Sequence, residues 1–535
     1  MPLYGYNVAR LLLFVQSVVA MSASPTPPSA PQPFARLLKT DEEHAGAASQ
    51  PAGAQSVAVE TKAAPAPAEA PSAAEMLKAA ETPKAAEAPA PAPVEAPKAV
   101  DVPAPVDAAK PAQTAQAEKP TQAEKPAQPE KPAAPVKKGK KPASRRPSWT
   151  VFWSLGFRPF YLLGSVWAAI SVALWVYAPQ YLGGVLTGLY WHIHEMLWGL
   201  MAMFSAGFLL TSAASWTRRA PVRGSLLVLL CGLWITARVA FLLPGVWPLQ
   251  LALGCELLFF LGVAAALARV ILSSVTHRNY MIPFFFLAFA ASDAVFLQAV
   301  MEGAAYEVVI GFFNVGLLVM TLVALLIGGR ALPFFAGRAL PEKRIPMCRP
   351  SGLLQLWLCA AVLLVMTLVL VLPDSEEWLL PMVVPTLYAI SLITLYRWLR
   401  WQPWAARRKP ILWILYLGYL GFGVGLAMFA GWQQDRILRS AWPAHVIGIG
   451  GMGLLTMGMM TRTSLGHLGR PLVADGSMVL SYWLMLGALL LRLGALWLPF
   501  DWSPVVWLNA SAACWIAAFA LFCWRFFPWL IRPRL

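Results

Sequence analysis

The sequence predicts an all-α, polytopic membrane helix bundle of about twelve transmembrane helices, preceded by a long disordered N-terminal arm. Three observations carry that prediction. The 535 residues are 58% hydrophobic and 13% charged, with a mean hydropathy of +0.59, which is too apolar for a soluble chain of this length. The apolar residues are also unevenly placed: residues 1–148 are rich in Ala, Pro, Lys and Glu, and almost everything after Trp149 is apolar. From Phe157 onward, unbroken apolar windows of helix length recur, without the period-two alternation of a transmembrane barrel.

The arm comes first. Three tandem hexapeptides, QAEKPT, QAEKPA and QPEKPA, fill residues 116–133, and a basic cluster runs from Lys137 to Arg146. With few aromatics and frequent prolines, such a segment cannot bury enough surface to offset its ordering entropy. It reads as an extended spacer with polyproline character, either unselected filler that ends in a basic stop beside the bilayer or a tether that docks a protein partner. Within it, Leu11 to Ala23 form a short apolar, signal-like run behind Arg10. That run is brief for a membrane span.

The second domain, residues 149–535, holds the spans. They are placed near 158–178, 189–214, 225–243, 247–272, 281–301 and 306–328, then near 353–372, 379–396, 411–431, 442–461, 478–498 and 505–526. Helices of about 20 residues suffice to cross the hydrocarbon core.

Loop charge gives direction. Nineteen Lys and Arg fall in alternate connections, among them Arg218, Arg219, Arg278, Arg338, Arg407, Arg408, Arg470 and Arg532. The intervening loops contain Glu302, Glu307, Asp374, Glu376, Glu377 and Asp501, with Arg436 and Arg439 as their only cations. The positive-inside rule then sets both ends of the bundle, and the arm, in the cytoplasm. The net charge of +16 is explained by the same pattern: residues up to Thr150 carry 17 basic against 14 acidic side chains, leaving 25 against 12 for the bundle. Charge distributed between spans is a topology signal and not the single basic face of a nucleic-acid binder, so no nucleic-acid partner is expected.

That orientation sorts the histidines. His192 and His194 fall in the first turns of the second span, and His445 in the first turn of the tenth, so all three share a level near the outer face. His467 is 22 residues beyond His445, about 33 Å along a helix, and belongs with His277 at the cytoplasmic end. His192 and His194 are two residues apart, roughly 200° around a helix. One of them can meet His445 while the other faces away, toward a second metal or a neighbour that it orients. Glu195 is placed to steady such a ligand. Imidazoles gathered at one level suit copper or haem iron, or are interfacial histidines satisfied by water and backbone.

Gly448, Gly450, Gly451, Gly453 and Gly458 form a small-residue stripe on the tenth span, open to another helix or to a flat macrocycle. Met452 and Met459 share a face with His445 and serve either as packing or as thioether ligands. Charges within spans cost about 2.5–3.5 kcal/mol each near the bilayer centre. Arg238 and Glu256 differ in depth by about 5 Å and are predicted to form a structural ion pair. Asp293 and Arg492 are further candidates, as ion-pair partners or near haem carboxylates. The six cysteines show no metal-ligand spacing. From the residues alone, a metal-holding membrane protein, a secondary transporter of a small solute and a non-catalytic membrane sensor or assembly factor all remain open, and no catalytic residue can be named.

Several blocks narrow this. Gly156-Phe157-Arg158-Pro159-Phe160 opens the first span, and Trp191-His192-Ile193-His194-Glu195-Met196 the second, followed by Gly207-Phe208-Leu209-Leu210-Thr211. Ala237-Arg238-Val239-Ala240 lies in the third, and Gly328-Gly329-Arg330-Ala331-Leu332-Pro333 ends the sixth. The tenth leads into Met460-Thr461-Arg462-Thr463-Ser464-Leu465-Gly466-His467-Leu468-Gly469-Arg470. In this order, over about residues 155–526, the chain resembles the NnrS family of bacterial membrane proteins of the nitric-oxide response. The resemblance implies an inner-membrane protein associated with haem and copper, linked to denitrification or nitrosative-stress defence and to nitric oxide or iron-nitrosyl species. It makes His192, His194, His445 and His467 the candidate metal ligands. The Pro-rich arm lies outside the family pattern, and His467 falls on the wrong side of the outer cluster.

Overall fold

A computed structural model of the chain describes residues 146–274, 279–372, 375–437, 439–497 and 503–535. The arm to residue 145, with its 11–23 segment, lies outside the described residues, as do His277, Arg278, Asp374 and Asp501.

Every regular element among the described residues is helical. The bundle helices are α1 (Phe157–Tyr177), α2 (Gly188–Thr217), α3 (Ser225–Ala240), α4 (Val246–Leu272), α5 (Ile282–Met301) and α6 (Tyr306–Ala339). They continue with α7 (Arg349–Val371), α8 (Glu376–Arg400), α9 (Pro410–Trp432), α10 (Ala441–His467), α11 (Gly476–Trp497) and α12 (Pro504–Leu530). Eleven are long and apolar enough to cross a membrane. The exception is α3, whose 16 residues rise only about 24 Å against a hydrocarbon core of about 30 Å. The protein is a multi-pass membrane protein. α6 runs to Ala339, well past the expected end near 328, because Pro333 sits inside the helix without ending it.

Three helices are inner ones. In α2, α6 and α10, 83%, 78% and 72% of the apolar window is buried, against 22% in α7. α12 packs on α1, and α10 touches α1, α2, α6, α9 and α11. Of the glycine stripe of α10, Gly450, Gly451, Gly453 and Gly458 are used for helix packing, whereas Gly448 faces open space. A Cβ on Gly421 of α9 would lie 2.3 Å from the Gly450 carbonyl carbon, so the two backbones meet where any side chain would force them apart.

Helix ends are closed by long polar side chains. Arg158 donates to the Leu530 carbonyl, one that α12 cannot pair within itself, and at 2.9 Å to the Arg532 carbonyl just beyond the helix. The Phe157 amide donates to Thr211 Oγ1 at 2.8 Å, which ties α1 to α2. Asp475 accepts from the Met478 amide at 3.1 Å, capping α11, and pairs with Arg525 of α12 at 2.6 Å. The Ser477 hydroxyl, the Met478 amide and Arg525 hold the Asp475 carboxyl below its usual range despite partial burial. A depressed carboxylate pKa contributes stability above the unfolded value and loses it as pH falls through the folded one. Asp475→Ala is therefore expected to cost about 1 kcal/mol, chiefly as a lost cap, since the ion pair is largely solvent-screened. Thermal unfolding in detergent at pH 7 and below pH 4 checks this, with the difference between variant and wild type shrinking at the lower pH.

Candidate functional site

Both inner helices that carry the histidine level change geometry directly after a histidine. In α2, regular helix over Gly188–His194 gives way to a π-helical stretch, Glu195–Met201. In α10, Ala441–His445 is followed by a π-helical stretch, Val446–Gly453. Such widened turns are rare and concentrate at functional sites, because they redirect side chains out of register.

His192 and His194 point to opposite sides of α2. His192 is stacked between Trp175 of α1, with ring centres 5.0 Å apart, and His445, at 6.3 Å and 21° between planes. His445 Nδ1 lies 2.6 Å from the Ala441 carbonyl. Only a protonated Nδ1 can bond a carbonyl, so Nε2 carries the lone pair of the neutral ring. His192 Nδ1 is buried without a hydrogen-bond partner, and so is Nε of Arg492, a near neighbour of both imidazoles.

His194 turns into a buried ionic network built by five helices. Its Nε2 lies 3.1 Å from Glu256 Oε2 of α4 and 3.0 Å from Asp293 Oδ1 of α5, and its Nδ1 lies 3.3 Å from Glu195 Oε1. Arg238 of α3 donates to Glu195 Oε2 at 2.9 Å and to Glu256 Oε1. Trp167 of α1 donates to the same Glu195 oxygen at 2.7 Å. The guanidinium also lies over the Trp234 and Phe241 rings. No member of the ionic network is more than 2% exposed.

The network's stoichiometry is informative. Three carboxylates face one guanidinium and one imidazole, leaving one negative charge in excess even with His194 protonated. Asp293 Oδ2 has no hydrogen-bond partner. In a water-poor interior such an excess is balanced by a proton or a bound cation. His194, Glu256 and Asp293 offer one ligand atom each, all within 4.8 Å of one another, so this triad could bind a metal. An imidazole with two carboxylates is a borderline-to-hard donor set.

The structure thus brings His192 and His445 together, and His194 together with Glu195, Arg238, Glu256 and Asp293. His467 is elsewhere. It closes α10 at the opposite end, packed on the Phe157 ring at 5.5 Å. Met452 and Met459 line a small cavity of about 70 Å³ with Met201, Met320 and Met460. The Trp167 contact had no signal in the sequence, and the meeting of Asp293 with His194 spans 99 residues that no local pattern connects.

The family model described as NnrS protein matches residues 151–534. The chain belongs to the NnrS family. The NnrS match takes in all twelve helices, both histidine groupings and His467, and begins just after the arm. No curated protein sequence matches the chain. In this NnrS chain the quoted blocks fall at the junctions described above: Arg158 at the end of α12, Thr211 beneath Phe157, and Arg238 in the ionic network.

Proposed function

We propose that the protein holds a redox-active metal, copper with or without haem, at the His192–His445 end and acts on nitric oxide or its iron-nitrosyl products, in denitrification or nitrosative-stress defence. The observation that supports this reading is the imidazole pair itself. With ring centres 6.3 Å apart, the two imidazoles offer, at one level of the bundle, nitrogen donors of the kind copper and haem iron take. The donor set fits. The His192 Nδ1 is a buried orphan, and the Ala441 carbonyl fixes the His445 tautomer that leaves Nε2 open. Trp175 holds the plane of His192, and Arg492 supplies an unpaired Nε–H for an anionic group, such as a haem carboxylate. In the glycine stripe of α10, α9 and α11 fill the space at Gly450, Gly451 and Gly458, whereas Gly448, three residues beyond His445, has open space where a Cβ would stand, so a macrocycle would approach these histidines at Gly448 or from another side. When bound, the metal would supply electron exchange and a coordination position for nitric oxide.

The Glu195–Arg238 pair anchors the π-helical stretch that begins at Glu195 and so sets how α2 presents both histidines. The NnrS family resemblance supports a bacterial inner-membrane location, and loop charge supports placing both ends of the bundle in the cytoplasm, which puts the imidazole pair near the outer face. The test is metal and haem analysis of the purified full-length protein, with an oxidised-minus-reduced spectrum. His192→Ala and His445→Ala are each expected to lose most of the copper or haem, while His467→Ala keeps it. Wild-type protein with neither copper nor a haem band sinks the reading.

A further inference from the structure

The end of the bundle opposite the imidazole pair contains a cavity of about 1570 Å³ lined from α2, α6, α9 and α10 and by the C-terminal tail. Six arginines and one lysine line it, and no carboxylate does among the described residues. Loop arginines alone would satisfy the positive-inside rule, and they need neither a cavity nor burial. Arg462 departs from that pattern. It is 8% exposed, and its guanidinium lies 4.0 Å over the Phe335 ring. Among the described residues no hydrogen-bond acceptor meets it, and Arg338 adds a like charge nearby. A cation–π contact offsets only part of the cost of drawing a cation out of water, and the guanidinium donors left over open onto the cavity, where an oxyanion can meet them. The arrangement is balanced when an anion occupies the cavity.

The walls describe the rest of the ligand. Leu326, Ile327 and Phe335 face the cavity between the cations, and the exposed Phe334 and Val473 lie at its edge. The volume exceeds the roughly 300–1,000 Å³ of ordinary small-molecule pockets. A guanidinium fork matches the oxygens of a phosphate, and basic pockets between membrane helices take anionic headgroups.

We propose that this cavity binds a phosphate group carried on an apolar body, an anionic phospholipid headgroup, with Arg462 at its depth and Arg338 and Arg534 at its mouth. The same field of charge makes His467 a poor place for a metal cation. The site does not depend on the imidazole pair.

Full-length protein in neutral detergent is titrated calorimetrically with dihexanoyl-phosphatidylglycerol, and in separate arms with dihexanoyl-phosphatidylcholine and inorganic phosphate. Saturable binding of the anionic lipid is expected, weakening with salt, with no binding of the zwitterion. Arg462→Gln and Arg338→Glu should each weaken it at least tenfold. Inorganic phosphate binding as tightly as the lipid keeps the oxyanion site and assigns it to a soluble phosphate. Equal binding of both lipids, or unchanged affinity in both variants, overturns the proposal. Arg338 is exposed, so Arg338→Glu decides the matter alone if Arg462→Gln fails to fold, and its metal content should equal that of wild type.

Discussion

Arg238→Met is expected to remove about 3–5 kcal/mol of stability, enough to leave little folded protein in detergent. The size follows from what remains behind. Glu195 and Glu256 both lose their guanidinium partner, and Asp293 remains beside them, so three carboxylates share one imidazole. The methionine keeps the apolar contact with Trp234 and Phe241, which confines the loss to electrostatics. Two further variants identify the cause. Arg238→Lys should fall between wild type and Arg238→Met, because one ammonium does not reproduce a fork that reaches Glu195 and Glu256 together. Arg238→Met with Glu256→Gln should recover part of the loss, because it removes one of the stranded charges. Size-exclusion profiles before and after a heat step give the order. Arg238→Met unfolding at the wild-type temperature would falsify the assignment of this network as the anchor of α2.

Much of this site could be read from the sequence, for identifiable reasons. A span needs about 20 apolar residues in a row, so the helices announce themselves, and α3 is weakest because it is shortest. Depth follows from counting residues along a helix, which separates His467 from His445. Angular position follows from 100° per residue, which sends His192 and His194 to opposite sides. Pairing across the bundle is different. Arg238 and Glu256 lie on consecutive helices, 18 residues apart, so depth and proximity in the chain point to the same partner. His194 with Asp293, and Glu195 with Trp167, join helices whose adjacency depends on how the whole bundle packs. The glycine stripe was ambiguous for the same reason: a small residue permits close approach without saying what approaches, and Gly421 supplies the answer. The π-helical stretches have no shared local signature in composition: Glu195–Met201 opens on a buried carboxylate, while Val446–Gly453 contains no polar side chain.

Gly199→Ala reverses an ordinary sign. In an exposed helix interior this exchange stabilises by about 1 kcal/mol, since alanine loses less backbone entropy. Gly199, however, lies within the π-helical stretch of α2, and an added Cβ would stand 1.9 Å from Arg238 Nη1 and 2.7 Å from Glu195 Oε2. Both atoms belong to the ionic network, so the methyl group cannot be accommodated by rotating one free side-chain tip. Either the guanidinium leaves Glu195, exposing the charge imbalance described above, or the turn shifts and Trp234 loses the Gly199 carbonyl to which it donates at 2.8 Å. Either route is expected to cost about 2–4 kcal/mol, the range of a broken buried polar contact combined with overpacking. The movement also passes to His192, seven residues earlier on the same helix, so metal content should drop in whatever protein still folds. Pairing Gly199→Ala with Arg238→Met separates steric from electrostatic loss. The flexible, uncharged side chain can yield to the methyl, which leaves only the 2.7 Å approach to Glu195 Oε2, so the double variant should lose clearly less than the sum of the two single losses. Additive losses in the double variant would show that Gly199 serves the backbone turn and not the guanidinium.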